Sequence, residues 1–304
     1  MQARQGAAIK IRTQKAAASG TRRHDVRLRI LGTRGNIEVS APGHVKHSGI
    51  LIDDHLLLDV GEKEYLKYRP RWIFITHLHS DHMALEAGDI PKRVSIYAPE
   101  SSRSIPTAQI VSSSPVIVGP YTVTPVPTIH SQRVKSVGYV VQTGAKVFYS
   151  SDMVRIEPKY HRLLRNLDLV ITDGSFIRSK GLIRIEAETG APFGHNGIPD
   201  LVEFFSQFSR RIIITHFGTW FFKDTTKSRK KIESFSHERL RAKRKADRPQ
   251  HKQMQARREA QHRAGPREGA AIKSNGVRVI PAYDGMPVDL TALKGGQQTF
   301  EVPA

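Results

Sequence analysis

The sequence predicts an α/β protein, and two observations carry that class. Apolar runs of strand length, bounded by Gly, Pro and Asp turns, recur between residues 26 and 217, with a few helical stretches between them. Several of those runs end on a His or an Asp, groups that an apolar core would reject.

In order, Val26–Leu31 reads as a strand that breaks at the turn Gly32-Thr33-Arg34-Gly35. Ser48–Ile52 and His55–Asp59 are two strands, with Asp53-Asp54 at the turn between them. Trp72–Ile75, Tyr121–Pro127, Val147–Ser151 and Ile212–Thr215 are further strands. Helix is expected at Pro158–Asn166 and at Ile198–Phe208. In the second stretch Leu201, Val202, Phe204, Phe205 and Phe208 form a core-facing stripe. Val277–Met286 gives a closing strand and a turn.

The chain has 304 residues, 14 His and no Cys. Disulfides and thiolate-ligated zinc are excluded, so any metal must be held by nitrogen and oxygen. No apolar run reaches the ~18 residues of a membrane span. The basic N-terminus lacks the apolar segment of a secretory signal. A cytoplasmic setting is the expectation.

Charge is unevenly placed. Of the net +20, residues 1–29 contribute +7 and residues 223–273 contribute +11, leaving a nearly neutral remainder. In 223–273 the apolar residues Ile232, Phe235, Leu240 and Met254 are too sparse for a core-facing stripe, although Ala, Gln, Glu, Lys and Arg favour helix locally. The expected organisation is a basic flexible extension over 1–24, a core domain over 25–222 plus 275–292, a basic and partly disordered insertion over 223–274, and a tail over 293–304. Clustered Lys and Arg suit RNA or DNA phosphates, with almost no aromatic residues to stack on bases. The bland alternative is a solubilising appendage.

The chemistry is concentrated in His77-Leu78-His79-Ser80-Asp81-His82. Three imidazoles and a carboxylate in six positions suit a divalent cation. On an extended segment His77 and His79 share a face, and a following turn would aim Asp81 and His82 at a neighbouring point. Alone, His130 or His216 reads as a strand-end histidine and Asp152 as a turn residue. The remaining histidines, His24, His44, His47, His55, His161, His237, His251 and His262, read as exposed or structural.

This H-x-H-x-D-H run after a strand, with His130, Asp152 and His216 following in order at strand ends, resembles the metallo-β-lactamase superfamily. The resemblance covers residues 28–222 and 276–290. It implies an αββα sandwich of two mixed sheets with outer helices. It implies two divalent ions, Zn²⁺ first, with Mn²⁺ or Fe²⁺ as alternatives. His77, His79 and His130 would hold one ion and Asp81, His82 and His216 the other, with Asp152 shared. Asp59, in Asp59-Val60-Gly61, would support the metal loop from beneath. The implied reaction is hydrolysis by a hydroxide shared between the metals, with Asp81 accepting a proton.

His195, 21 positions before His216, matches a catalytic His of the RNase Z branch, which the Leu31-Gly32-Thr33 start also resembles. The branch's basic protruding arm is missing between His82 and His130, and Phe217-Gly218-Thr219-Trp220 departs from its pattern. The expected function is a phosphodiesterase or nuclease acting on nucleic acid. Alternatives are a hydrolase of small esters, thioesters or lactones, and a nucleic-acid-binding protein with a non-catalytic metal site. Oligomeric state is not legible.

Overall fold

The computed structural model describes residues 26–236 and 276–290. The expected N-terminal extension, most of the basic insertion and the tail lie outside these residues.

Among the described residues, two seven-stranded sheets face each other. The first runs β16 (Met286–Asp289), β1 (Arg27–Gly32), β2 (Gly49–Ile52), β3 (Leu56–Leu58), β4 (Trp72–Phe74), β5 (Ser95–Ala98) and β6 (Gln109–Ile110). The second runs β15 (Arg278–Pro281), β14 (Arg211–Phe217), β11 (Leu169–Gly174), β10 (Lys146–Tyr149), β9 (Val137–Gln142), β8 (Tyr121–Pro127) and β7 (Val116–Val118). Both are mixed. β3 to β6 are parallel in one sheet, and β10, β11, β14 and β15 are parallel in the other. The αββα expectation therefore holds.

The layers follow from a period of two. Leu169 and Ile171 of β11 point between the sheets, and Val170 points outward. Ile213 of β14 points inward, and Ile212 and Ile214 point outward. Because both faces are covered, these strands are continuous apolar runs rather than alternating ones. The outer face of the second sheet is covered by α1 (Ile198–Phe205), through Leu201, Val202 and Phe205. The outer face of the first sheet has a thinner cover, with Tyr65 buried from the 3₁₀ turn Lys63–Tyr68.

Among the differences from the sequence expectation, three stand out. Pro158–Leu164 is a 3₁₀ helix, shorter than expected. A hairpin of β12 (Leu182–Ile185) and β13 (Pro192–His195) was not foreseen, because its strands are short, none of their residues is fully buried, and β13 carries Pro192 and Gly194. The third difference is larger. Residues 225–236, expected to face solvent within the basic insertion, form a helix that packs on the core. Ile232 is fully buried and Phe235 nearly so. Arg229 donates to the carbonyls of Ala282 (3.0 Å) and Pro281 (3.3 Å), at the end of β15. Two apolar side chains and one guanidinium suffice here because the helix covers only a sheet edge. Residues 225–236 are therefore packed against the second sheet.

Ser236 Oγ accepts from Val279 N–H at 2.8 Å, so the two sides of the 237–275 segment lie close together. Replacing 237–275 with a short linker is expected to leave the urea midpoint unchanged. Ile232→Ala is expected to lower stability by about 2–5 kcal/mol in the same titration.

Candidate metal centre

The site lies where the parallel strands of both sheets end. Asp59 follows β3, and the His77–His82 loop follows β4. His130 follows β8, Asp152 follows β10, and His216 stands near the end of β14. Three of these turns are left-handed, at Asp59 (φ 60°), Ser151 (φ 54°) and His216 (φ 56°). Non-glycine residues adopt this conformation rarely, and it clusters at functional sites. Gly61 is required for a related reason, since a Cβ there would sit 2.3 Å from the Asp81 carbonyl.

All seven residues singled out by sequence come together, in two sets that share Asp152. In the first, His77 Nε2 is 3.0 Å from His79 Nδ1, and His130 Nε2 is 3.3 Å from it. Asp152 Oδ2 lies 3.8 Å from His77 Nε2 and 3.6 Å from His130 Nε2. Ligands about 2.1 Å from a tetrahedral zinc stand about 3.4 Å apart, so these spacings fit one cation. In the second set, His82 Nε2 is 3.6 Å from Asp81 Oδ2 and 3.3 Å from Asp152 Oδ1, and His216 Nε2 is 2.8 Å from Asp81 Oδ2. Asp152 thus turns one oxygen to each set.

His82 Nε2 and Asp152 Oδ1 are buried without any hydrogen bond. Such orphaned atoms are costly unless a cation satisfies them. The charges agree. Burial works against ionisation, yet the His216 and His82 imidazoles outweigh it and hold Asp152 well below the usual carboxylate range. Burial likewise opposes charge on His82 and His216, and the facing carboxylates overcome it and push both up. Burial pushes His77 down. A divalent cation would supply the positive charge with every imidazole neutral.

Outer contacts orient the donors. Asp59, fully buried, accepts from His82 Nδ1 (2.7 Å), Thr76 N (2.7 Å), Thr76 Oγ1 (2.8 Å) and the Tyr149 hydroxyl (2.9 Å). His130 Nδ1 donates to the Gly194 carbonyl at 2.9 Å, which turns Nε2 inward. At Gly194 φ is +110° and a Cβ would lie 2.1 Å from the Leu182 carbonyl, so glycine is needed.

His195, the next residue, ends the β12–β13 hairpin. Its Nδ1 lies 2.7 Å from Asp173 Oδ2 and 4.0 Å from Asp152 Oδ2. Burial lowers the pKa of His195, but Asp173 and Asp152 more than offset this and the net shift is upward. Asp173 and Ser175 were missed by sequence. Ser175 Oγ lies 3.0 Å from His216 Nδ1. The available signal was Asp173-Gly174 closing an apolar run, like Asp59 after β3. A cavity of about 420 Å³ opens over the site, bordered by His79, Asp81, Asp152, His195 and His216.

The beta-lactamase superfamily domain matches residues 66–217, half of the chain, and the chain belongs to that family. Among solved structures, it is similar to the metallo-beta-lactamase fold protein YhfI from Bacillus subtilis, with 19% identity and a TM-score of 0.50, covering 68% of this chain and 92% of that one. It is also similar to Zn²⁺-bound PqqB from Methylobacterium extorquens, with 14% identity and a TM-score of 0.51, covering 87% and 100%. The short form of human tRNase Z aligns at 18% identity and a TM-score of 0.48, covering 64% and 93%. No curated protein matches the chain. Family and site together make it a metal-dependent hydrolase of this fold. No described helix is long and apolar enough to cross a membrane.

Removing the outer support is expected to weaken metal binding without unfolding the chain. Asp59→Asn should lower metal affinity by roughly 10- to 100-fold in a competitive chelator titration. Asp152→Ala should abolish binding to both sets, read by elemental analysis.

Proposed function

We propose that this protein is a dinuclear metal-dependent phosphodiesterase acting on nucleic acid. His77, His79 and His130 would hold one cation, and Asp81, His82 and His216 the other, with Asp152 shared. Imidazole and carboxylate donors suit Zn²⁺, and also Mn²⁺ or Fe²⁺. When bound, such a pair lowers the pKa of water and polarises a phosphoryl oxygen.

The observation that carries the phosphodiester reading is the His195–Asp173 pair at the cavity. Asp173 occupies Nδ1, fixes the ring and favours its charged form. The remaining ring N–H can then bond a phosphoryl oxygen and protonate the leaving oxygen. Asp81, on the same cavity, would accept a proton from the attacking water. The net +7 and +11 on residues 1–29 and 223–273 support a polyanionic substrate or partner, RNA or DNA.

One observation favours a second reading. Ile37, Phe176, Leu182 and Trp220 form apolar walls, and no Lys or Arg lines the cavity among the described residues. A small ester, thioester or lactone would also fit such a pocket.

The test is a screen of the metal-loaded protein on bis-p-nitrophenyl phosphate, an acyl thioester and a lactone. The highest kcat/KM is expected on the phosphodiester. His195→Ala should retain its metal and lose roughly 10²–10⁴ in turnover on that substrate. Faster turnover of the thioester or lactone would replace the proposal with the second reading.

A further inference from the structure

The cavity lining is of two kinds. One is polar, made of the donor residues and His195. The other is made of Ile37, Phe176, Leu182 and Trp220, each half-buried, so each leaves surface for a ligand.

Trp220 is held rigidly. Its indole Nε1 donates to the Gly174 carbonyl at 2.9 Å, and the Phe221 ring stands edge-on to it at 89° and 5.7 Å. The indole therefore cannot swing away without losing a hydrogen bond. Phe176 lies beside His195, its ring centroid 6.0 Å from that of the imidazole. Asn36 and Thr219, both exposed, supply neutral donors and acceptors at the rim. With no Lys or Arg among the described lining residues, a second anionic group would meet no counter-charge in this part. Planar walls with a neutral polar rim match an aromatic heterocycle.

We infer that the apolar part of the lining is a subsite for an aromatic ring, of nucleobase type, attached next to the scissile bond, with Trp220 as its stacking wall. This rests on the proposed hydrolase site and adds the group that the site selects. Trp220 is thus a specificity-determining residue. Stacking of a base on an aromatic side chain is typically worth roughly 10- to 100-fold in affinity.

The chain has two tryptophans, and the other, Trp72, packs against Tyr121 at the start of β4. In Trp72→Phe, fluorescence therefore reports Trp220 alone. Metal-loaded Trp72→Phe is titrated with two ligand pairs, adenosine 5′-monophosphate against ribose 5-phosphate, and phenylacetate against acetate. Affinities are measured by calorimetry, also in Trp220→Ala and Trp220→Phe. The expected result is quenching of Trp220 by the aromatic member, with at least about tenfold tighter binding than its partner. Trp220→Ala should remove that preference with metal content unchanged, and Trp220→Phe should keep much of it. A further comparison of phenyl phosphate with phenylacetate separates the two readings of the reaction, since their rings are the same and only the head groups differ. Equal affinity within both pairs, no binding of either pair, or an unchanged preference in Trp220→Ala would overturn the inference.

Discussion

The Asp59 carboxylate holds the metal end of the molecule together. It is buried where the two sheets meet. Its acceptor positions take His82 and Thr76 from the loop after β4 and Tyr149 from the end of β10. One carboxylate thus links the first sheet to the second and orients a donor imidazole. A buried anion with this many donors is stable only while all of them are present. Tyr139 adds to the join through its hydroxyl on the Ile75 carbonyl (2.7 Å), and Phe217 N–H reaches the Thr33 carbonyl (2.7 Å). The donors are therefore set by the packing of two sheets rather than by a flexible loop.

Three of the eight left-handed non-glycine residues among the described residues stand at this end. Strands that run parallel must all turn at the same end, and the side chains at those turns point into one space. At Asp59, Ser151 and His216 the chain turns through a left-handed residue that is not glycine. Side chains at Asp59 and His216 are needed for hydrogen bonding and charge, so glycine cannot serve. The strain is tolerated because neighbouring strands fix both sides of each turn.

Much of the site was legible because it is local or marked by a strand end. The His77–His82 run lies within six residues, and His130, Asp152 and His216 each close an apolar run. Asp173 was not legible as a partner. It is 22 residues from His195, and they meet where the β12–β13 hairpin brings His195 back to the end of β11. The helix over 225–236 was misread because charge dominates its composition. Its burial depends on Ile232, Phe235 and the Arg229 guanidinium meeting the end of β15. β16 was not foreseen, because the reading stopped at the Asp284-Gly285 turn and Met286–Asp289 gains its order from pairing with β1.

The charge of the assembled site bears on which substrate it suits. Asp59, Asp81, Asp152 and Asp173 gather four negative charges in or against the two donor sets. Two divalent cations would balance them. His195 stands outside that balance, its Nδ1 on Asp173 and its ring at the cavity. Its second ring nitrogen is left to meet a substrate oxygen. The apolar walls alone admit either substrate. The proposed preference for a phosphodiester therefore rests on the His195 ring beside those walls, whose orientation Asp173 fixes.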